Sequence, residues 1–159
     1  MAARVEEEGA EMPPLECPEV LEEGVYRYEP GRGWVRGLPS LREGPVVLVF
    51  VNLLCRPGCV RVMGMVERLL GRLVEEGRVR VGLLVCTRFR YVCFDEEARG
   101  LFSRFNIIAS PSVVVLYGSG EPLAAVKGSL RVERELPGVL EELRARVEPR
   151  APGARGAPN

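Results

Sequence analysis

Residues 46–54 read Val-Val-Leu-Val-Phe-Val-Asn-Leu-Leu and run directly into Cys55-Arg56-Pro57-Gly58-Cys59. An apolar, β-branched-rich run of this length is a strand buried on both faces, the kind found in the middle of a parallel or mixed sheet. Beyond it, Val62, Val66, Leu69, Leu70 and Leu73 recur at helical spacing within residues 60–76. The chain is therefore expected to set two cysteines at a strand-to-helix junction, and any fold assigned to it must accommodate that junction.

The pattern continues in alternation. Residues 79–86 read as a second buried strand, and residues 95–105 as a helix that opens on three acids. Residues 112–117 give a third core strand, and Gly118–Glu121 a hairpin turn. Residues 122–127 are the partner strand, and residues 131–147 form a last amphipathic helix carrying Pro137. Ahead of this, residues 24–28 alternate as a first strand. Residues 31–45, punctuated by Gly and Pro, read as a loop with a short helix near Leu38–Leu41. Strand–helix alternation closed by a hairpin predicts an α/β domain: a central mixed sheet of four to five strands with helices on both faces. Residues 1–20 are expected to be a mobile acidic arm, 21–147 the folded domain and 148–159 a disordered tail.

Composition removes several function classes. Lys+Arg and Asp+Glu both number 22, which lacks the basic excess of a nucleic-acid binder. No apolar run is long enough to span a bilayer. The acidic opening has no apolar signal core, so the expected compartment is the cytoplasm. There is no histidine, and with it go His-based triads, bases and metal sites. What remains is five cysteines: Cys17, Cys55, Cys59, Cys86 and Cys93. In a cytosolic chain a close pair is more often catalytic or metal-binding than a structural staple.

A strand feeding Cys-Arg-Pro-Gly-Cys, with Ile108-Ala109-Ser110-Pro111-Ser112 ahead of a later strand and a closing hairpin over Gly118–Gly128, resembles the thioredoxin family. The resemblance covers roughly residues 44–146. It implies a thioredoxin-like fold, a cis-proline at Pro111, and thiol–disulfide exchange with Cys55 as the attacking and Cys59 as the resolving thiol. It implies no organic cofactor and no metal. Arg56, Pro57, Ser110 and Pro111, which flank the pair, are then the candidate substrate-binding residues. The expected partners are protein or peptide thiols and disulfides and an unidentified redox protein, with neither nucleic acid nor membrane. The chain departs from the family pattern in having three residues between the cysteines, where the family has two. Leu54 stands where the family has tryptophan. Val49 and Leu83 replace a buried acid and the lysine that approaches it. Losing both charges together is coherent, because one alone would be a costly buried charge.

The unpaired N–H groups at a helix N-terminus stabilise a thiolate, which makes Cys55 a usable nucleophile. Helical neighbours four apart have Cβ atoms about 5–6 Å apart, wider than the ~3.5–4.5 Å of a disulfide. A Cys55–Cys59 bridge thus requires the first turn to adjust, and is expected to be strained and more oxidising than one across two residues. Pro57 suits a first turn and Gly58 supplies backbone freedom. Cys86 and Cys93 are open between a second disulfide, an electron relay to Cys59, a four-thiolate metal site with the first pair, and a buried thiol beside a loop thiol. Cys17, in the arm, is expected to be free. The loop Arg88-Phe89-Arg90-Tyr91 suits either protein contact or simple solvation. The preferred function is a thiol–disulfide oxidoreductase. The alternative is a non-catalytic interaction module with a structural disulfide, since a fold does not fix a function.

Overall fold

The computed structural model describes residues 14–89, 91–118 and 121–148. In chain order its elements are β1 (Gly24–Glu29), β2 (Gly33–Arg36), β3 (Val46–Asn52), α1 (Arg56–Glu75) and β4 (Arg80–Cys86). These are followed by α2 (Glu96–Arg104), β5 (Ser112–Tyr117), β6 (Glu121–Lys127) and α3 (Ser129–Val147). The strands form one mixed sheet in the order β2-β1-β4-β3-β5-β6. β3 and β4 are parallel, as a crossover through α1 allows. The pairs β1–β4, β3–β5 and β5–β6 are antiparallel.

The apolar run has its physical reason in this arrangement. β3 lies between β4 and β5, and Val46 to Val51 are all buried. Alternate residues point to opposite faces. Val47, Val49 and Val51 enter a core shared with Val62, Met63, Val66 and Leu70 of α1 and with Leu136, Leu140 and Leu143 of α3. Val46, Leu48 and Phe50 enter a second core with Ala98, Leu101 and Phe102 of α2. There Phe50 meets Phe102 and Phe105 edge-on, with ring centroids 5.1 and 6.0 Å apart. Val49 and Leu83 are direct neighbours in the β3–β4 register and both are fully buried. The missing charged pair is thus replaced by one apolar contact at the centre of the sheet.

Three expectations are corrected. The sheet has six strands, not four to five, because Gly33–Arg36 is a strand paired with β1 and not loop. Gly31 and Gly33, both at φ +85°, turn the chain tightly between the two strands. No helix forms at Leu38–Leu41, where Leu38 precedes a proline and is turned away from helical geometry. Residues 14–20 are not a mobile arm: Leu15 and Cys17 are buried against α1. The remainder of the expected arm (1–13), most of the expected tail (149–159) and the tip of the β5–β6 hairpin (119–120) lie outside the described residues. α3 starts two residues earlier than expected and runs through Pro137. Among the described residues, no helix is long and apolar enough to cross a membrane.

Candidate functional site

The C-terminal ends of β3 and β4 form one edge of the sheet, where open α/β sheets place their sites. Beyond Asn52 the chain makes a tight turn. The Asn52 side-chain carbonyl accepts from the Leu54 N–H at 3.0 Å, and the Asn52 backbone carbonyl accepts from the Cys55 N–H at 3.0 Å. The Leu53 N–H donates to the Cys86 carbonyl at 3.1 Å, which fastens the turn to the end of β4. Cys55 is the N-cap residue of α1, with Pro57 in the first turn and no side-chain capping bond. Its carbonyl accepts from the Cys59 N–H at 3.0 Å. The thiol of Cys55 is free and half-buried.

The Ser110–Pro111 peptide bond is cis. The Ser110 hydroxyl accepts from the Asn52 N–H at 3.0 Å, which ties this segment to the turn that carries Cys55. Gly58 shows how close the two approach. A Cβ built on it would lie 2.7 Å from Cys55 Sγ and 2.9 Å from Pro111 Cδ. Only a residue without a side chain lets the sulfur and the proline ring flank the same point. Leu54 and Ile108 stand on the rim, 83% and 62% exposed.

Where the sequence pairs Cys55 with Cys59, the structure bonds Cys59 to Cys17, with Cα atoms 5.7 Å apart. Cys17 is therefore not a free thiol. Residues 14–18 are held by more than that bond. The Leu15 N–H donates to Glu67 Oε1 at 3.0 Å, and the Trp34 indole N–H donates to the Glu16 carbonyl at 2.7 Å. Arg56 Nε donates to the Pro18 carbonyl at 2.9 Å, so this candidate substrate-binding residue is engaged by the chain's own N-terminal segment. Pro57 is exposed, and Pro111 is buried beside half-buried Ser110.

Cys86 and Cys93 are joined by a disulfide across seven positions. The bond lies in the α2-side core, whereas Cys59 lies in the α1–α3-side core. The sheet thus separates them, and the four thiolates do not converge. Among the described residues, no group of three or more His, Cys, Asp or Glu side chains is placed to hold a metal ion. Between the bonded cysteines Phe89 packs on the core, Tyr91 is 79% exposed, and Arg90 lies outside the described residues.

Sequence reasoning missed Glu23. Its carboxylate accepts four hydrogen bonds: from the Thr87 N–H at 2.7 Å, the Thr87 hydroxyl at 2.6 Å, the Phe94 N–H at 2.8 Å and the Asp95 N–H at 3.0 Å. Burial raises its pKa, but the bonds from Thr87, Phe94 and Asp95 together outweigh it and hold the carboxyl below its ordinary range. Glu23 therefore clamps both ends of the Cys86–Cys93 loop. In sequence it is one acid among several before a strand, with no signal to set it apart.

A parallel βαβ unit that hands a cysteine to its crossover helix, opposite a cis-proline and beside a closing β-hairpin and helix, is the thioredoxin-like fold. No protein-family model matches the chain, and no curated protein matches it. Among solved structures it is similar to thioredoxin from Aeropyrum pernix, at 18% identity and a TM-score of 0.47. That match covers 79% of this chain and 94% of the other. The fold and its closely spaced cysteines are compatible with a redox role.

Proposed function

We propose that the protein is a thiol–disulfide oxidoreductase acting on protein or peptide disulfides, with Cys55 as the attacking thiol and Cys59 as its resolving partner. One observation carries the reading: a free, half-exposed thiol at the N-terminus of a 20-residue helix, packed beside a cis-proline. The helix end offers N–H groups and a partial positive charge to the thiolate and to the sulfur it attacks. Attack on a substrate disulfide forms a mixed disulfide at Cys55 and expels one substrate thiolate. Cys59, once free, attacks Cys55 and expels the other. Ser110 and Pro111 supply the edge along which an extended substrate lies, and the exposed Leu54 and Ile108 give it apolar contact. The partner that restores the redox state is another thiol protein, and the compartment proposed is the cytoplasm.

A second reading has its own observation. With Cys59 bonded to Cys17, Cys55 has no resolving thiol, as in a non-catalytic interaction module with a structural disulfide. Turnover of a disulfide-bonded peptide by the wild-type chain and by Cys55→Ser separates the two. The oxidoreductase loses turnover in the variant. A wild-type chain with no turnover, whose partner binding is unchanged in Cys55→Ser, is the module.

A further inference from the structure

We infer that Cys17 is a third catalytic cysteine, and that the chain carries one disulfide that moves between a stored position, Cys17–Cys59, and a working position, Cys55–Cys59. The inference rests on the oxidoreductase reading and deepens it. Its basis is that Cys59 has two cysteines within reach. One is Cys17, bonded to it, and the other is Cys55, four residues ahead at the same helix end. Four residues of helix rise about 6 Å, and disulfides span Cα separations of about 4.4–6.8 Å. Cys17 lies within that range as bonded, and Cys55 meets it in Cα separation, its Cβ coming into bonding distance of Cys59 once the first turn of α1 adjusts.

Exposure differs between the three sulfurs. Cys59 is fully buried and Cys17 nearly so, whereas Cys55 is half-exposed and free. A substrate thiol meets Cys55 first and has no open route to the stored bond. Exchange gives it one. The Cys55 thiolate attacks Cys59 Sγ, the Cys55–Cys59 bond forms, the Cys17–Cys59 bond breaks and Cys17 leaves as a thiolate. No electron is gained or lost in this step. A dithiol substrate then attacks Cys55, and Cys59 leaves as a thiolate. The second substrate thiolate closes the substrate disulfide and expels Cys55. The substrate is oxidised by two electrons and the chain is reduced by two, ending with thiols at Cys17, Cys55 and Cys59. The same steps in reverse serve a disulfide substrate.

The segment that carries Cys17 is suited to return. Its bonds to Glu67, Trp34 and Arg56 are independent of the disulfide, so they keep Cys17 near Cys59 after the sulfur is released. High local concentration of this kind makes recapture an intramolecular event.

The test is a single turnover. The full-length oxidised chain is mixed with one equivalent of a dithiol peptide, quenched with acid, and its thiols are alkylated and located by mass spectrometry. Wild type, Cys17→Ser and Cys55→Ser are compared. The expected result is that wild type oxidises the peptide and Cys17, Cys55 and Cys59 all become alkylated. Cys17→Ser delivers its Cys55–Cys59 bond directly, and Cys55→Ser keeps Cys17–Cys59 intact and loses transfer. Transfer by Cys55→Ser at the wild-type rate overturns the relay, and so does peptide oxidation that leaves Cys17 bonded. Transfer by Cys17→Ser without transfer by wild type makes Cys17–Cys59 a permanent clip, which overturns the relay and leaves the oxidoreductase reading standing. Failure of both chains to transfer overturns both.

Discussion

Gly58 and Glu23 decide more at this site than their chemistry suggests. A methyl group at position 58 would meet Cys55 Sγ and a proline ring that has little room to yield. Overpacking of that kind typically costs about 1–3 kcal/mol. Gly58→Ala is therefore expected to lower the unfolding midpoint and to change the alkylation rate of Cys55, read by thermal denaturation and a thiol-labelling time course. Glu23 makes a prediction in pH. Its carboxyl titrates below the ordinary value near 4.5 in the folded chain, so the charged form is the one that folding favours. That stability is fully present above the ordinary value and is lost as pH falls through the lower folded value. Unfolding free energies of wild type and Glu23→Gln in denaturant should differ at neutral pH, by an amount on the order of 1 kcal/mol, and converge in acid. At neutral pH the variant should also lose Cys86–Cys93 severalfold faster to a reductant, because the loop is clamped at Thr87 and Phe94.

At the scale of elements, the sequence carried what periodicity and burial can carry. β3, α1, β4, α2, β5, β6 and α3 were all legible, because two-sided burial makes continuous apolar strands and one-sided burial makes helical stripes. The cysteine at the strand-to-helix junction followed from the same patterns, and the cis-proline from the family resemblance. What was not legible depends on long-range pairing. β2 hides behind glycines that read as loop, although they are there to turn the hairpin. Residues 14–18 carry no period at all; they are fixed by single contacts with Glu67, Trp34, Arg56 and Cys59, each far along the chain. Such contacts leave no trace in local spacing, and the same is true of Glu23. The segment yields its own prediction. Reduction removes its covalent anchor but leaves Leu15 buried, so amide exchange over residues 15–17 should quicken on reduction without reaching that of a free peptide. Leu15→Ala, which empties a buried site at a typical cost of about 2–5 kcal/mol, should remove the remaining protection.

For the whole molecule, the two disulfides constrain the unfolded chain very unequally. Cys17–Cys59 spans 42 positions and ties the N-terminal segment to α1, whereas Cys86–Cys93 spans seven and closes a local loop. In the chain-entropy account, stabilisation grows with the logarithm of the loop, which gives about 4 kcal/mol for the first bond and about 2.5 kcal/mol for the second. Replacing Cys17 alone does not isolate the first bond, because Cys55 remains available to Cys59 across a much shorter loop. The informative chain is the double variant Cys17→Ser with Cys55→Ser, which leaves Cys59 without either partner. Its unfolding free energy in denaturant should fall by more than that of the Cys86→Ser, Cys93→Ser chain. Its denaturant slope should also rise, because the longer released segment lets the unfolded state expand further. Cys17→Ser alone should fall between the double variant and wild type if the working bond forms in its place. An equal loss in the single and double variants would mean that Cys55 and Cys59 do not bridge even when Cys17 is absent, and the exchange between stored and working positions would have no second position to reach.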